Sequence, residues 1–198
     1  RWGHFVGLAL SFYVMGNMLY GAFYARQHPV YNYRTITFDR LPEAFDGYRI
    51  VQFSDLHIET LGSAGRYLPR WVADIDSLHP DLIVFTGDLV NRQGGELPRY
   101  MPELSRLSAT DGVCSVLGNH DYGDYYHWSS PAEQEKTLQQ LIADEGRMGW
   151  HMLNNRSVWL HRGNDSIALI GVENWGMPPF PQYGRLAEAY PALNDSTF

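Results

Sequence analysis

Residues 48–57 read Tyr48-Arg49-Ile50-Val51-Gln52-Phe53-Ser54-Asp55-Leu56-His57, a run that stops on a carboxylate and an imidazole two positions apart. Its β-branched and aromatic content over Tyr48 to Ser54 predicts a strand. The same arrangement recurs twice downstream. Leu82 to Thr86 predicts a second buried strand and closes on Thr86-Gly87-Asp88, and Val113 to Leu117 predicts a third and closes on Leu117-Gly118-Asn119-His120-Asp121. In open α/β sheets, sites gather beyond the carboxyl ends of the strands, so three such ends can converge on one crevice.

Between the strands the apolar period changes. Trp71, Ile75 and Leu78 stand at helical spacing within 68–78, and Leu97, Met101, Leu104 and Leu107 do so in the next interval. Ser130-Pro131-Ala132-Glu133 reads as a capping box with proline at the first helical position. The helix it opens buries Leu138, Leu141 and Ile142 and stops at Gly146. Ser157 to Leu160 and Ile167 to Gly171 predict a hairpin around Gly163-Asn164, and Arg34 to Phe38 predicts a short strand before the domain. Alternating strands and helices predict an α/β domain.

The flanking sequence is of a different kind. Residues 5–25 carry no charged side chain, and as a helix they would reach roughly 31 Å, about one hydrocarbon core. Tyr20 and Tyr24 sit where aromatic rings favour the interface. The expected division is therefore a transmembrane helix over 5–25, a juxtamembrane linker with the first strand over 26–47, and the domain over 48–198. Arg26 and Arg34 follow the apolar span, which leans the domain to the cytoplasmic side. The 198 residues carry a net charge of −7, which speaks against a nucleic-acid partner. Cys114 is the single cysteine, so no intrachain disulfide forms, and it reads as a core residue. No Gly-x-Ser-x-Gly elbow accompanies Ser54, and no Lys-Ser/Thr follows the glycines at 62–65 or 94–95, which sets aside serine hydrolase and P-loop chemistry.

An Asp-x-His or a Gly-Asp after a strand is common singly. Asp-x-His, then Gly-Asp, then Gly-Asn-His-Asp, in that order, resembles the first half of the calcineurin-like metallophosphoesterase signature. The stretch 48–57, and less specifically Gly171-Val172-Glu173-Asn174-Trp175, resembles bacterial membrane-anchored members, among them phosphodiesterases and UDP-diacylglucosamine pyrophosphatase-like enzymes. The resemblance implies a sandwich of mixed β-sheets flanked by helices, here cut at the C-terminus. It implies two divalent ions, which clamp a phosphoryl group and lower the pKa of water, and mixed N and O ligands suit Mn, Zn or Fe. By the same resemblance, Asp55 and His57 hold the first ion, Asp88 bridges both, and Asn119 binds the second through its amide oxygen. His120 is then no ligand but assists the leaving oxygen, with Asp121 orienting it.

Two departures matter. The family completes its site with a further histidine and a Gly-His-x-His motif, and neither stands here. His127, His151 and His161 do not stand in such a motif, and His151 and His161 read as surface residues, so the missing ligands are expected beyond Phe198 and the fragment is expected to be inactive alone. Asn91 occupies the offset at which purple acid phosphatases carry a tyrosine ligand, which disfavours that subclass. The expected function is hydrolysis of a phosphodiester or pyrophosphate, on a lipid-linked or envelope-precursor substrate, at the bacterial inner membrane. The rival is a membrane-tethered binding module without catalysis, against which the intact Asp55, His57, Asp88, Asn119 and His120 argue. The aromatic loops at Tyr122, Tyr125, Tyr126 and Trp128, and at Trp175 to Pro181, are either ordinary packing or substrate surface.

Overall fold

The computed structural model describes residues 2–190. It divides at Ile36/Thr37, inside the expected linker, into two compact units. In the first, helix α1 (Trp2–Phe23) has no buried residue and is long and apolar enough to cross a membrane. Its mild polar groups are satisfied internally: Ser11 Oγ donates to the Gly7 carbonyl at 2.9 Å and Asn17 Nδ2 to the Tyr13 carbonyl at 2.8 Å. Such back-bonding is what an apolar solvent demands of a polar side chain. Tyr20, Tyr24 and His28 stack in sequence at its end, with centroids 5.2 and 4.0 Å apart.

The second unit is built on a parallel sheet in the order β1 (Ile50–Phe53), β2 (Leu82–Phe85), β3 (Val113–Ser115) and β4 (Trp150–Met152). Register pairs Val51 with Ile83, Ile83 with Val113 and Val113 with Trp150. Because side chains alternate across a sheet, these residues share one face with Phe53, Phe85, Ser115 and Met152. Helices α3 (Leu68–Ser77) and α5 (Pro131–Arg147) cover that face with Leu68, Val72 and Leu141. The opposite face, carrying Leu82, Val84 and Cys114, meets Phe45, Leu160, Ile167 and Leu169. Leu160, Ile167 and Leu169 come from the antiparallel hairpin β5 (Arg156–Arg162) and β6 (Asp165–Gly171). Helices on one side and a hairpin on the other bury the central strands β2 and β3 on both faces, which accounts for the unbroken apolar run Leu82–Phe85.

Several expectations change in detail. Arg34 to Phe38 pairs with no strand among the described residues and is exposed throughout, so the first strand of the expected linker is absent. A strand needs a ladder partner, and alternation alone supplies none. The 97–107 interval is a 3₁₀ turn at Gly94–Glu96 and one helical turn, α4 (Met101–Leu104), begun by Pro102. Strand β4 over Trp150–Met152 is an element that the sequence pattern did not mark. The Ser130 side chain does cap α5, accepting from Glu133 N at 3.2 Å, but Glu133 answers to the amide of Ser129 rather than Ser130. His151 and His161 are exposed and Cys114 is buried, both as expected, and His127 is exposed as well.

Candidate metal centre

The three motifs meet because the loops after β1, β2 and β3 are tied to one another by their backbones. Asp55 N donates to the Gly87 carbonyl at 3.0 Å, His57 N to the Asp88 carbonyl at 3.1 Å and Ile58 N to the Leu89 carbonyl at 3.0 Å. Along this seam Asp55, His57 and Asp88 all adopt left-handed backbone, with φ of 53°, 40° and 59°. For non-glycine residues that conformation costs on the order of 1 kcal/mol or more each and persists only where surroundings impose it. The glycines permit the approach. A Cβ on Gly87 would lie 2.3 Å from Gly118 N, and one on Gly118 would lie 2.2 Å from Asp88 Oδ1.

Asp121 is the pin. Its carboxylate, 1 % exposed, accepts from the amides of Asp88 (2.8 Å), Leu89 (2.9 Å), Val90 (3.1 Å) and Gly118 (2.9 Å). Burial pushes its carboxyl up to about 6, against these amide bonds, which favour the charged form. Asp121 therefore does not orient His120 as expected; all its acceptor capacity goes to the backbone of the β2 and β3 loops. His120 is held instead by Asn91, whose carbonyl lies 2.6 Å from Nδ1. A carbonyl only accepts, so Nδ1 carries the proton and Nε2 is the nitrogen left for chemistry.

The side chains of four expected site residues close on one another. His57 Nε2 lies 3.9 Å from Asp55 Oδ1 and 4.0 Å from Asp88 Oδ2. These gaps exceed a hydrogen bond and approach the span of two ligand bonds of about 2 Å around one ion. Asp88 Oδ1 is engaged by the amide of His120 at 2.9 Å, which leaves Oδ2 toward His57. His57, Asp88 and His120 offer donor atoms all within 4.8 Å of one another, and the His57 and His120 rings meet edge to face at 4.6 Å. His57 Nδ1 is buried without a hydrogen-bond partner among the described residues. Nitrogen and carboxylate donors arranged in this way fit a divalent ion. The compact trio differs from the expected ligand set by including His120, while Asp55 stands at its exposed rim. Asn119 Nδ2 donates to the Tyr125 hydroxyl at 2.9 Å, and the Tyr125 ring lies 4.5 Å from that of His120. Neither the Asn91 carbonyl nor Tyr125 was singled out as part of the site. A carbonyl has no sequence signal, and Tyr125 was one of several loop aromatics.

The family model for calcineurin-like phosphoesterases matches residues 48–191. Among curated proteins, the chain is 38% identical over 93 residues to the uncharacterized metallophosphoesterase YkuE of Bacillus subtilis, covering 46% of this chain and 32% of that protein. It is 29% identical over 184 residues to a transmembrane protein with metallophosphoesterase domain from Danio rerio, covering 90% and 39%. It is 43% identical over 89 residues to the UDP-2,3-diacylglucosamine pyrophosphatase LpxG of Chlamydia trachomatis serovar D, covering 43% and 27%. The chain thus spans well under half the length of the relatives it matches.

Proposed function

As the chain belongs to the calcineurin-like phosphoesterase family across residues 48–191, we propose that the protein hydrolyses a phosphodiester or pyrophosphate bond at a two-metal site. The observation that carries this reading is the approach of His57 Nε2 to Asp55 Oδ1 and Asp88 Oδ2, at 3.9 and 4.0 Å, across adjacent strand ends. Asp55 and His57 would hold one divalent ion, Asp88 would serve both that ion and a second, and Asn119 would hold the second. Manganese, zinc or iron suits this donor set. Such ions supply Lewis-acid charge at the phosphoryl oxygens and a nucleophile from water at neutral pH.

The chain's own residues do the rest. The His120 amide donates to Asp88 Oδ1 at 2.9 Å and so fixes the carboxylate with Oδ2 toward His57. His120, protonated on both nitrogens, gives its Nε2 proton to the leaving oxygen, and the Asn91 carbonyl at Nδ1 orients the ring for this transfer. Asp121 acts at one remove, by fixing the backbone that carries Asp88.

Membrane anchoring through α1 is supported by its exposed apolar length and by the transmembrane relative. Arg26 and Arg34 favour the cytoplasmic side of a bacterial inner membrane for the domain. A lipid-linked substrate is supported by the name of the LpxG relative and by the exposed Trp175, Met177 and Phe180 on one loop. Asp88→Asn in the full-length protein should remove nearly all Mn²⁺-dependent turnover on a phosphodiester. His120→Ala, assayed alongside, should lower turnover and keep the metal content. Full activity of the first variant overturns the bridge, and metal loss from the second makes His120 a ligand.

A further inference from the structure

We infer that Tyr125 is a positioning residue of the metal site: its hydroxyl holds the Asn119 amide so that Oδ1 faces the second ion. This rests on Asn119 being a ligand, as proposed above. A primary amide offers an oxygen on one side and an NH₂ on the other, and only the oxygen attracts a cation. Asn119 sits at a partly exposed turn, where nothing in the residue itself chooses between the two. In the structure Nδ2 donates to the Tyr125 hydroxyl at 2.9 Å, which leaves Oδ1 on the other side of the amide, and a cation holds the hydroxyl in this accepting role because it attracts only the oxygen. The ring contributes separately, lying 4.5 Å from the His120 imidazole at an angle of 36°. Tyr125 thus braces two adjacent site residues, one through its hydroxyl and one through its face.

For a residue 47 % exposed to do this, the surrounding loop must be fixed, and it is fixed on both sides. Asp124 accepts from Gln134 Nε2 at 2.9 Å and from the Tyr183 hydroxyl at 3.1 Å. Tyr122 stacks on Tyr183 with centroids 3.8 Å apart. Beyond Tyr125, Trp128 Nε1 donates to the Gly123 carbonyl at 2.7 Å and closes the turn. Gly123 has a φ of +75°, and a Cβ there would lie 2.8 Å from the Trp128 indole. The loop therefore delivers the Tyr125 hydroxyl to Asn119 without an ordering cost at the moment a metal binds.

Removing the outer hydrogen-bond partner of a metal ligand typically weakens the metal by about 10- to 100-fold. The experiment is equilibrium dialysis of Mn²⁺ against metal-free full-length protein, comparing wild type, Tyr125→Phe, Tyr125→Leu and Asn119→Ala, with thermal unfolding of each. Tyr125→Phe keeps the ring and should weaken only the second equivalent, by roughly tenfold or more, with the first equivalent and the melting temperature unchanged. Tyr125→Leu should show the same metal loss and in addition a lower kcat through His120. If Tyr125→Phe binds both equivalents as wild type while Asn119→Ala loses the second, the inference is overturned and the proposed function stands. If Asn119→Ala itself binds both equivalents normally, Asn119 is no ligand and the inference falls with that assignment.

Discussion

Asp121 contributes to the site through four backbone amides rather than through chemistry, and that distinction is measurable. Asp121→Asn replaces one carboxylate oxygen by an NH₂ that cannot accept, leaving about two of the four amides of Asp88, Leu89, Val90 and Gly118 without a partner. At about 1–3 kcal/mol for each orphaned buried donor, the loss is on the order of 3 kcal/mol. Urea unfolding should show it directly. A residue that merely oriented His120 would leave stability unchanged and alter only the pH profile of turnover. At this scale, residue types were legible and partners were not. Asp55, His57, Asp88, Asn119 and His120 lie in the loops after β1, β2 and β3 because each motif follows a strand end. Which carbonyl receives His120 depends on how the loop at 91 folds back. There, Glu96 gathers the amides of Asn91, Arg92 and Gln93, at 2.7, 3.0 and 3.3 Å.

Between elements, the docking of α5 on the sheet includes a buried acid that sequence reasoning did not flag. Glu145, 1 % exposed, accepts from Ser115 Oγ of β3 at 2.6 Å, and burial pushes its carboxyl from 4.5 up to about 8. The folded state therefore holds this proton more tightly than the unfolded chain. Its contribution to stability is complete below about 4.5 and is lost as pH rises toward and through about 8. Glu145→Gln keeps an acceptor for Ser115 and removes the charge, so it should melt higher than wild type at pH 8 and nearly equal it at pH 4.5. Melting curves at several pH values check the slope; parallel curves for both proteins would show that Glu145 is not the source. Element type was legible wherever an apolar period ran long, as in α3 and α5. It was not legible for β4, three residues whose strand character comes from pairing with β3. Nor was it legible for 97–107, where Pro102 and the 3₁₀ turn at Gly94–Glu96 place the same buried leucines without a long helix.

On the scale of the whole molecule, the sequence carried the architecture because each level agreed: strand–helix alternation, sites at strand ends, and an apolar segment apart from both. The second layer came from the resemblance and not from the residues, since the hairpin β5–β6 reads the same whether it stands free or covers Leu82 and Cys114. The division at Ile36/Thr37 separates an apolar helix with no buried residue from a unit with its own core on both faces of its sheet. Removing residues 1–36 therefore deletes no part of that core. In the full-length protein this deletion should shift the protein from the membrane fraction to the soluble fraction. Turnover of a small water-soluble phosphodiester should be kept, because every proposed site residue lies in the second unit. Turnover of a lipid-linked pyrophosphate presented in vesicles should fall, because the substrate and the enzyme no longer share a surface. An intact protein found in the soluble fraction overturns the anchor. Equal losses on both substrates would instead mean that residues 1–36 support the folded domain itself.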